Sequence, residues 1–320
     1  MFRKILIIFS FCLFMNLSVA NNLQDILKEY AYEALKLENK KEFKAPYVLA
    51  KVNNRFAYVI FDSGSKGISI FNHSVDQLGL NQESGSGYSS NMVGQKIKNQ
   101  NVLLNKIQIG DILLKNVEAK ITNQPKRKQY PVIVIGTDFL VRYNAIFDFS
   151  ENLIYLNKNN LTAKKHYEIG QVLDKENYLL ISLTKLLSQH QTIAISIDSN
   201  QPVNCLLDTG TSNFTISDKY LKSIDLAPTK PHKTIKATDG TLTVADIKIK
   251  NLILNPMNLF FQNKIQLVNL DATAANIESM SKFLGVVCIL GYDELHTKKA
   301  IYDLVAGRIY IKVKSNYRYH

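Results

Sequence analysis

Two stretches of this chain carry the same series of signals in the same order, and that repeat limits the fold more than any other feature. Asp62-Ser63-Gly64-Ser65 follows the apolar run Tyr58-Val59-Ile60-Phe61. Asp208-Thr209-Gly210-Thr211-Ser212 follows Cys205-Leu206-Leu207. A carboxylate at the end of a buried strand costs free energy unless it is paired or used. A chain that bears this cost twice, at matching places, is expected to bring Asp62 and Asp208 together.

The match extends well beyond the two turns. Upstream, Tyr47-Val48-Leu49-Ala50-Lys51-Val52 and Thr192-Ile193-Ala194-Ile195-Ser196-Ile197 both read as entering strands. Downstream, Val132-Ile133-Val134-Ile135-Gly136-Thr137-Asp138 answers to Cys288-Ile289-Leu290-Gly291-Tyr292-Asp293. Each half then closes with a predicted hairpin, turning at Ser150-Glu151-Asn152 and at Ala306-Gly307. The second half is longer between its Asp and its Gly, and the excess is assigned to 272–282, read as helical or loose. Ahead of the first repeat, Leu23, Ile26, Leu27, Tyr30, Ala34 and Leu35 fall near helical spacing with charges between them, which predicts an amphipathic helix. Between the repeats the chain is rich in Lys and Asn and reads as a linker. The resulting division is a signal peptide over 1–20, a helix within 21–45, a first lobe over 46–157, a linker over 158–178 and a second lobe over 179–320.

Composition narrows the class. Short runs of Val, Ile, Thr, Tyr and Phe predict an all-β protein. A formal charge of +12 arises from scattered Lys with no aromatic interleaving, so solubility explains it and nucleic acid is not expected as a partner. Arg3 and Lys4, an apolar run over 5–14 and Ser18-Val19-Ala20 form a signal-peptide pattern with cleavage after Ala20. The expected location is therefore the periplasm or the exterior, with no transmembrane anchor. In an oxidising compartment Cys205 and Cys288 are left open between a disulfide and two buried thiols. The His residues show no paired-ligand spacing, and neither metal nor cofactor is expected.

Two Asp-(Ser/Thr)-Gly turns, each with its own Ile-Gly or Leu-Gly partner downstream, resemble the aspartic proteases of the pepsin and retropepsin class. Gly136-Thr137-Asp138-Phe139-Leu140 and Gly291-Tyr292-Asp293-Glu294-Leu295 are more similar to the bacterial retropepsin-like type than to pepsin, here with two units fused in one chain. The resemblance implies a bilobal double barrel with pseudo-twofold symmetry and an endopeptidase whose dyad is Asp62 and Asp208. It is expected to act on extended polypeptide as a single chain. It also implies that Ser63 and Thr209 hydrogen-bond across the lobes and that Ser65 and Thr211 orient the carboxylates. Gly64 and Gly210 are expected to permit the tight turn. Flap candidates are Gly85, Gly87 and Tyr88 in the first lobe and Asp239 and Gly240 in the second. Asp138, Asp293, Asp148 and Asp303 also repeat and are read as structural, the first two as helix caps or partners of buried backbone. A catalytically silent peptide- or protein-binding module on the same fold is the alternative.

Overall fold

The computed structural model describes residues 22–39, 45–90, 96–123, 130–230, 233–237, 240–254 and 265–313, with backbone alone for 82–90, 96–99, 235–237 and 240–241. The described chain opens with α1 (Leu23–Glu29) and β1 (Glu33–Lys36). A first barrel follows, made of β2 (Tyr47–Val52), β3 (Arg55–Phe61), β4 (Ile68–Phe71), β5 (Gln82–Ser90), β6 (Lys96–Ile109), β7 (Ile112–Thr122) and β8 (Val132–Ile135). In it α2 (Asn72–Leu78) follows β4 and α3 (Thr137–Arg142) follows β8. The hairpin of β9 (Ile146–Asp148) and β10 (Leu153–Leu156) leads through α4 (Ala163–Lys175) to β11 (Tyr178–Ser182).

The second barrel repeats the order with β12 (Thr184–Lys185), β13 (Gln191–Ile197), β14 (Val203–Leu207), β15 (Thr215–Ser217), β16 (Lys233–Ala237), β17 (Gly240–Leu254), β18 (Ile265–Ala275) and β19 (Cys288–Leu290). Its helices are α5 (Asp218–Ser223), α6 (Glu278–Leu284) and α7 (Tyr292–Thr297), and a hairpin of β20 (Ile301–Asp303) and β21 (Arg308–Lys312) ends it.

Closure of each barrel follows from one strand that pairs twice. In the first, β2 pairs with both β3 and β6; in the second, β13 pairs with both β14 and β17. Within each barrel the strand ending at the aspartate runs parallel to the later strand that ends before the glycine, β3 beside β8 and β14 beside β19. Central parallel strands are covered on both faces, which is why Val132–Ile135 and Cys288–Leu290 are unbroken apolar runs with every residue buried. The protein is thus an all-β bilobal double barrel with a helix at its N-terminal end, as the resemblance implies.

A third sheet joins the lobes in the order β1-β10-β9-β20-β21-β11. Its centre is the antiparallel pairing of β9 with β20, one strand from each half. Helices α1 and α4 cover one face: Leu23, Ile26, Leu27, Ile169, Val172 and Leu173 pack on Ile146, Tyr155, Ile301 and Tyr310.

Three sequence expectations change here. The N-terminal helix predicted to reach Leu35 stops at Glu29, because Ala31 takes a left-handed φ of 59° and the chain turns into β1. There Glu33 to Lys36 pair with β10, so satisfying an exposed sheet edge outweighs local helical spacing. The supposed linker over 158–178 contains the 13-residue α4, capped by the Thr162 hydroxyl accepting from Lys165 N–H. Part of 272–282 is neither helical nor loose, since β18 continues to Ala275 before α6 begins.

Integration of the N-terminal segment makes a prediction. Burying Leu23, Ile26 and Leu27 is worth roughly 1.5–3 kcal/mol each before chain ordering is deducted. A chain shortened to begin at Ala45 is expected to melt several degrees lower and to show no gain in activity. Thermal unfolding of the two forms, run beside an activity assay, checks this. Higher activity in the short form would identify the segment as an inhibitory one instead.

Among the described residues no helix is long and apolar enough to cross a membrane. Residues 1–20, read from the sequence as a signal peptide, lie outside the described residues.

Candidate active site

Asp62 and Asp208 end their strands at the contact between the two barrels. Their backbone N–H groups donate to the carbonyls of Ile135 (2.9 Å) and Leu290 (3.1 Å), so each aspartate is tied to the parallel strand beside it. Behind the carboxylates the next residues interlock. Ser63 N–H donates to Thr209 Oγ1 (3.0 Å), and Thr209 N–H donates to Ser63 Oγ (3.1 Å). Each hydroxyl then donates to the strand of the opposite lobe: Ser63 Oγ to the Leu207 carbonyl (2.9 Å) and Thr209 Oγ1 to the Phe61 carbonyl (2.7 Å). All four bonds are buried and all four cross between lobes.

This grip brings the two carboxyls into hydrogen-bond contact with each other. Each is also held from below by the N–H two residues on, Gly64 to Asp62 Oδ1 and Gly210 to Asp208 Oδ1, both at 2.8 Å. The sequence assigned Gly64 and Gly210 to turn conformation, but neither has a positive φ. Their requirement is space. A Cβ on Gly64 would lie 2.4 Å from Asp208 Cγ, and one on Gly210 would lie 2.3 Å from Asp62 Cγ. Each glycine leaves the volume that the other lobe's carboxyl occupies.

Gly136 and Gly291 do the same for the loop backbone: a Cβ there would meet the carbonyl oxygens of Ser65 and Ser212, each at 2.6 Å. Through this close approach Thr137 N–H reaches the Ser65 carbonyl (3.0 Å) and Tyr292 N–H reaches the Thr211 carbonyl (2.8 Å). The supporting roles of Ser65 and Thr211 differ. Both donate a backbone N–H to the carbonyl of their own aspartate (3.4 Å to Asp62, 3.5 Å to Asp208), and Ser65 adds its hydroxyl to the Asp62 carbonyl at 3.4 Å.

Electrostatics couple the pair. Burial raises both carboxyls above the ordinary carboxylate range. For Asp208 the negative charge of Asp62 and the hydrogen bond to it raise the value further, while for Asp62 the bond from Asp208 opposes the rise. The two carboxyls are coupled and share a proton as a pair.

The flap candidates fall less cleanly. Gly85, Gly87 and Tyr88 lie in β5, the first arm of a hairpin with β6 whose register shifts between Ser84 and Tyr88. In the second lobe Gly240 pairs with Ala237 at the head of β17, and Asp239 lies outside the described residues. Asp138 and Asp293 are not helix caps: the cap positions are Gly136 and Gly291, and the two aspartates sit in the first turns of α3 and α7, where the helix dipole favours them. Asp148 Oδ1 accepts from Ser150 N–H, Ser150 Oγ and Glu151 N–H, closing its turn. Asp303 accepts from Ala306 N–H and contacts the buried His166 ring of α4 at 2.7 Å. Cys205 and Cys288 are neighbours in the β14–β19 register, both buried free thiols.

One residue at the site escaped sequence reading. His190, buried just before β13, places its Nε2 3.2 Å from the Gly64 carbonyl and its Nδ1 2.8 Å from Ser188 Oγ. No motif surrounds it; only its position ahead of the entering strand marks it.

The grip is open to test. Thr209→Val keeps the shape but strands the Ser63 N–H and the Phe61 carbonyl inside the seam. Each buried group left without a partner costs about 1–3 kcal/mol. Chemical denaturation is expected to show a loss within the range set by two such groups, and a change below about 0.5 kcal/mol, the size typical of neutral surface substitutions, would remove the grip's structural role.

The family described as aspartyl protease matches the chain over residues 48–139, from β2 to the first turn of α3. No curated protein matches the chain. That match covers the first barrel with its Asp62-Ser63-Gly64 turn, and the second barrel repeats the same strand order and the same turn. With its sequence match in one lobe and its structural counterpart in the other, the chain is similar to the retropepsin-like aspartic proteases.

Proposed function

We propose that the protein is an exported aspartic endopeptidase that hydrolyses peptide bonds of extended polypeptides. The observation that supports this best is the contact of two burial-raised carboxyls at a seam locked by the reciprocal Ser63–Thr209 bonds. Two carboxyls so close hold one proton between them over a broad pH range and titrate as a unit.

In the resting pair Asp62 is the carboxylate and Asp208 the acid. Asp62 removes a proton from a water lying between them as the water oxygen bonds to the scissile carbonyl carbon. Asp208 gives its proton to the carbonyl oxygen in the same step, and a neutral tetrahedral diol results. In the second step Asp62 passes its proton to the amide nitrogen and the C–N bond breaks. Asp208 recovers a proton from one diol hydroxyl, and the products leave with the dyad restored. A cleft between two lobes suits an extended substrate, which binds by main-chain hydrogen bonds, and the β5–β6 and β16–β17 hairpins are the arms available to fold over it. Export rests on the residues of the first twenty positions.

Profiling a diverse peptide library with the chain starting at Asn21, between about pH 3 and 8, where a shared pair can retain one proton, tests the reading. Cleavage is expected, with a maximum on the acid side of neutrality. No cleavage at any pH would favour the silent binding module.

A further inference from the structure

The two halves of the site are related by a repeat, yet His190 has no equivalent across it. The pairing Tyr47 with Ile60 matches Thr192 with Leu206, and Ile60 and Leu206 each stand two residues before their aspartate. Position 190 therefore corresponds to Ala45, a buried residue with no hydrogen-bonding side chain. The asymmetry is built into the sequence at a point where the lobes touch.

The bonding fixes the chemistry of the ring. The Gly64 carbonyl only accepts, so Nε2 carries the hydrogen and Nδ1 accepts from the Ser188 hydroxyl. That is a neutral imidazole with a defined tautomer, reaching from the second lobe onto the first lobe's aspartate loop. Gly64 is also the residue whose N–H holds Asp62 Oδ1, so a ring bonded to its carbonyl restrains the loop that aims the carboxylate. The charged groups facing the ring are Asp62, Lys66 and Asp138, and only Asp62 belongs to the dyad. Burial holds the ring's pKa below the ordinary histidine value, while Asp62 and Asp138 oppose that shift and Lys66 adds to it. Once protonated, the ring keeps its Nε2–H on Gly64, turns Nδ1–H toward Ser188, and places a positive charge beside Asp62 with no counterpart beside Asp208.

We propose that His190 is a positioning residue that holds the Asp62 loop through the Gly64 carbonyl and makes the two carboxylates unequal, with Asp62 the base and Asp208 the proton carrier. This assignment rests on the protease reading of the site. It deepens that reading by giving the two lobes different duties.

The test uses His190→Ala, which removes the bond, and His190→Gln, which retains an N–H donor but does not titrate. His190→Ala is expected to lower kcat about 10- to 100-fold, the range that a small misplacement of reacting groups produces, with KM little changed. His190→Gln is expected to recover most of that rate at the optimum. Its acid limb is expected to move to higher pH, because no imidazolium then favours the Asp62 carboxylate. A residue that only filled space would leave that limb in place. A second measurement needs no turnover: titration of the His190 ring by NMR in Asp62→Asn and in Asp208→Asn. The ring's pKa is expected to fall further in Asp62→Asn. A His190→Gln acid limb that overlays the wild type overturns the proposal, as does an equal response of the ring to both Asn variants. If the wild type cleaves no peptide, the protease reading falls, and the NMR titration still decides whether His190 and Asp62 are coupled.

Discussion

Asp208→Asn is expected to lower kcat by about 10²- to 10⁴-fold, the contribution of a positioned acid or base, and Asp62→Asn by a similar factor. Steady-state cleavage of the best library peptide measures both. The fold should survive, because asparagine is close to isosteric and the Ser63–Thr209 bonds do not involve the carboxyls. Stability adds a second, independent signature. In the folded protein Asp208 keeps its proton to higher pH than an ordinary carboxyl does, since burial and the adjacent Asp62 both raise it. From the unfolded value near about 4 upward, toward that raised folded value, unfolding therefore releases a proton. Stability must then fall as pH rises through this window. Asparagine has no proton to release. Asp208→Asn should accordingly melt above the wild type at pH 7 and close to it at pH 3. Glu294, pushed up to about 7 by burial, titrates in the same direction but is present in both forms and cancels in the comparison. Wild-type rates in either Asn variant would dismiss the dyad.

Gly210→Ala and Gly64→Ala are expected to abolish activity through one methyl group each. The added Cβ would stand 2.3 Å from Asp62 Cγ or 2.4 Å from Asp208 Cγ, far inside contact distance. The obstructing atoms belong to a carboxyl pinned by a 2.8 Å bond from its own loop and by the opposite carboxyl, so it cannot swing aside cheaply. The lobes must separate or the carboxyls must lose their contact. Overpacking of this kind costs typically about 1–3 kcal/mol, so the fold can persist with a broken site. The expected result is an unmeasurable kcat together with a moderate loss of thermal stability. A control separates this cause from backbone strain. Gly67, at a φ of 73° with open space around it, should respond to alanine through strain alone and keep most of its activity. Equal damage at Gly67 and Gly210 would refute the volume argument.

Much of this arrangement is legible in the sequence because it is written twice. Asp62 and Asp208, the glycines at 136 and 291 and the closing hairpins fall at matching places, and local signals placed in order suffice to infer two matching lobes, to which the resemblance adds the barrel form. What escaped reading depends on contacts between distant segments. The strand at Glu33–Lys36 exists because β10 has an open edge, and no local spacing reveals that edge. Gly64 and Gly210 announce a turn to any sequence reader, although the constraint on them comes from a carboxyl in the other half. His190 is a lone histidine among scattered ones, and its partner is a carbonyl 126 positions away in the chain. The helix α4 is a different case: His166, Ile169, Val172 and Leu173 fall on one buried face, and this periodicity was present beneath the abundance of Lys that suggested a linker.

The pairing of β9 with β20, reinforced by Phe149 N–H on the Ala300 carbonyl (2.9 Å), has a consequence for how the protein responds to dilution. Were the halves separate subunits, the fraction assembled would fall with concentration, and activity per molecule would fall with it. Tethered halves meet at an effective concentration set by the connecting chain, on the order of millimolar for short flexible links. Activity per molecule should then stay constant at concentrations where an unlinked pair would come apart. Covalent union also lifts the demand for symmetry, since identical subunits must carry the same residue on both sides of a twofold axis. A histidine at 190 opposite an alanine at 45 is available only to a chain that contains both halves.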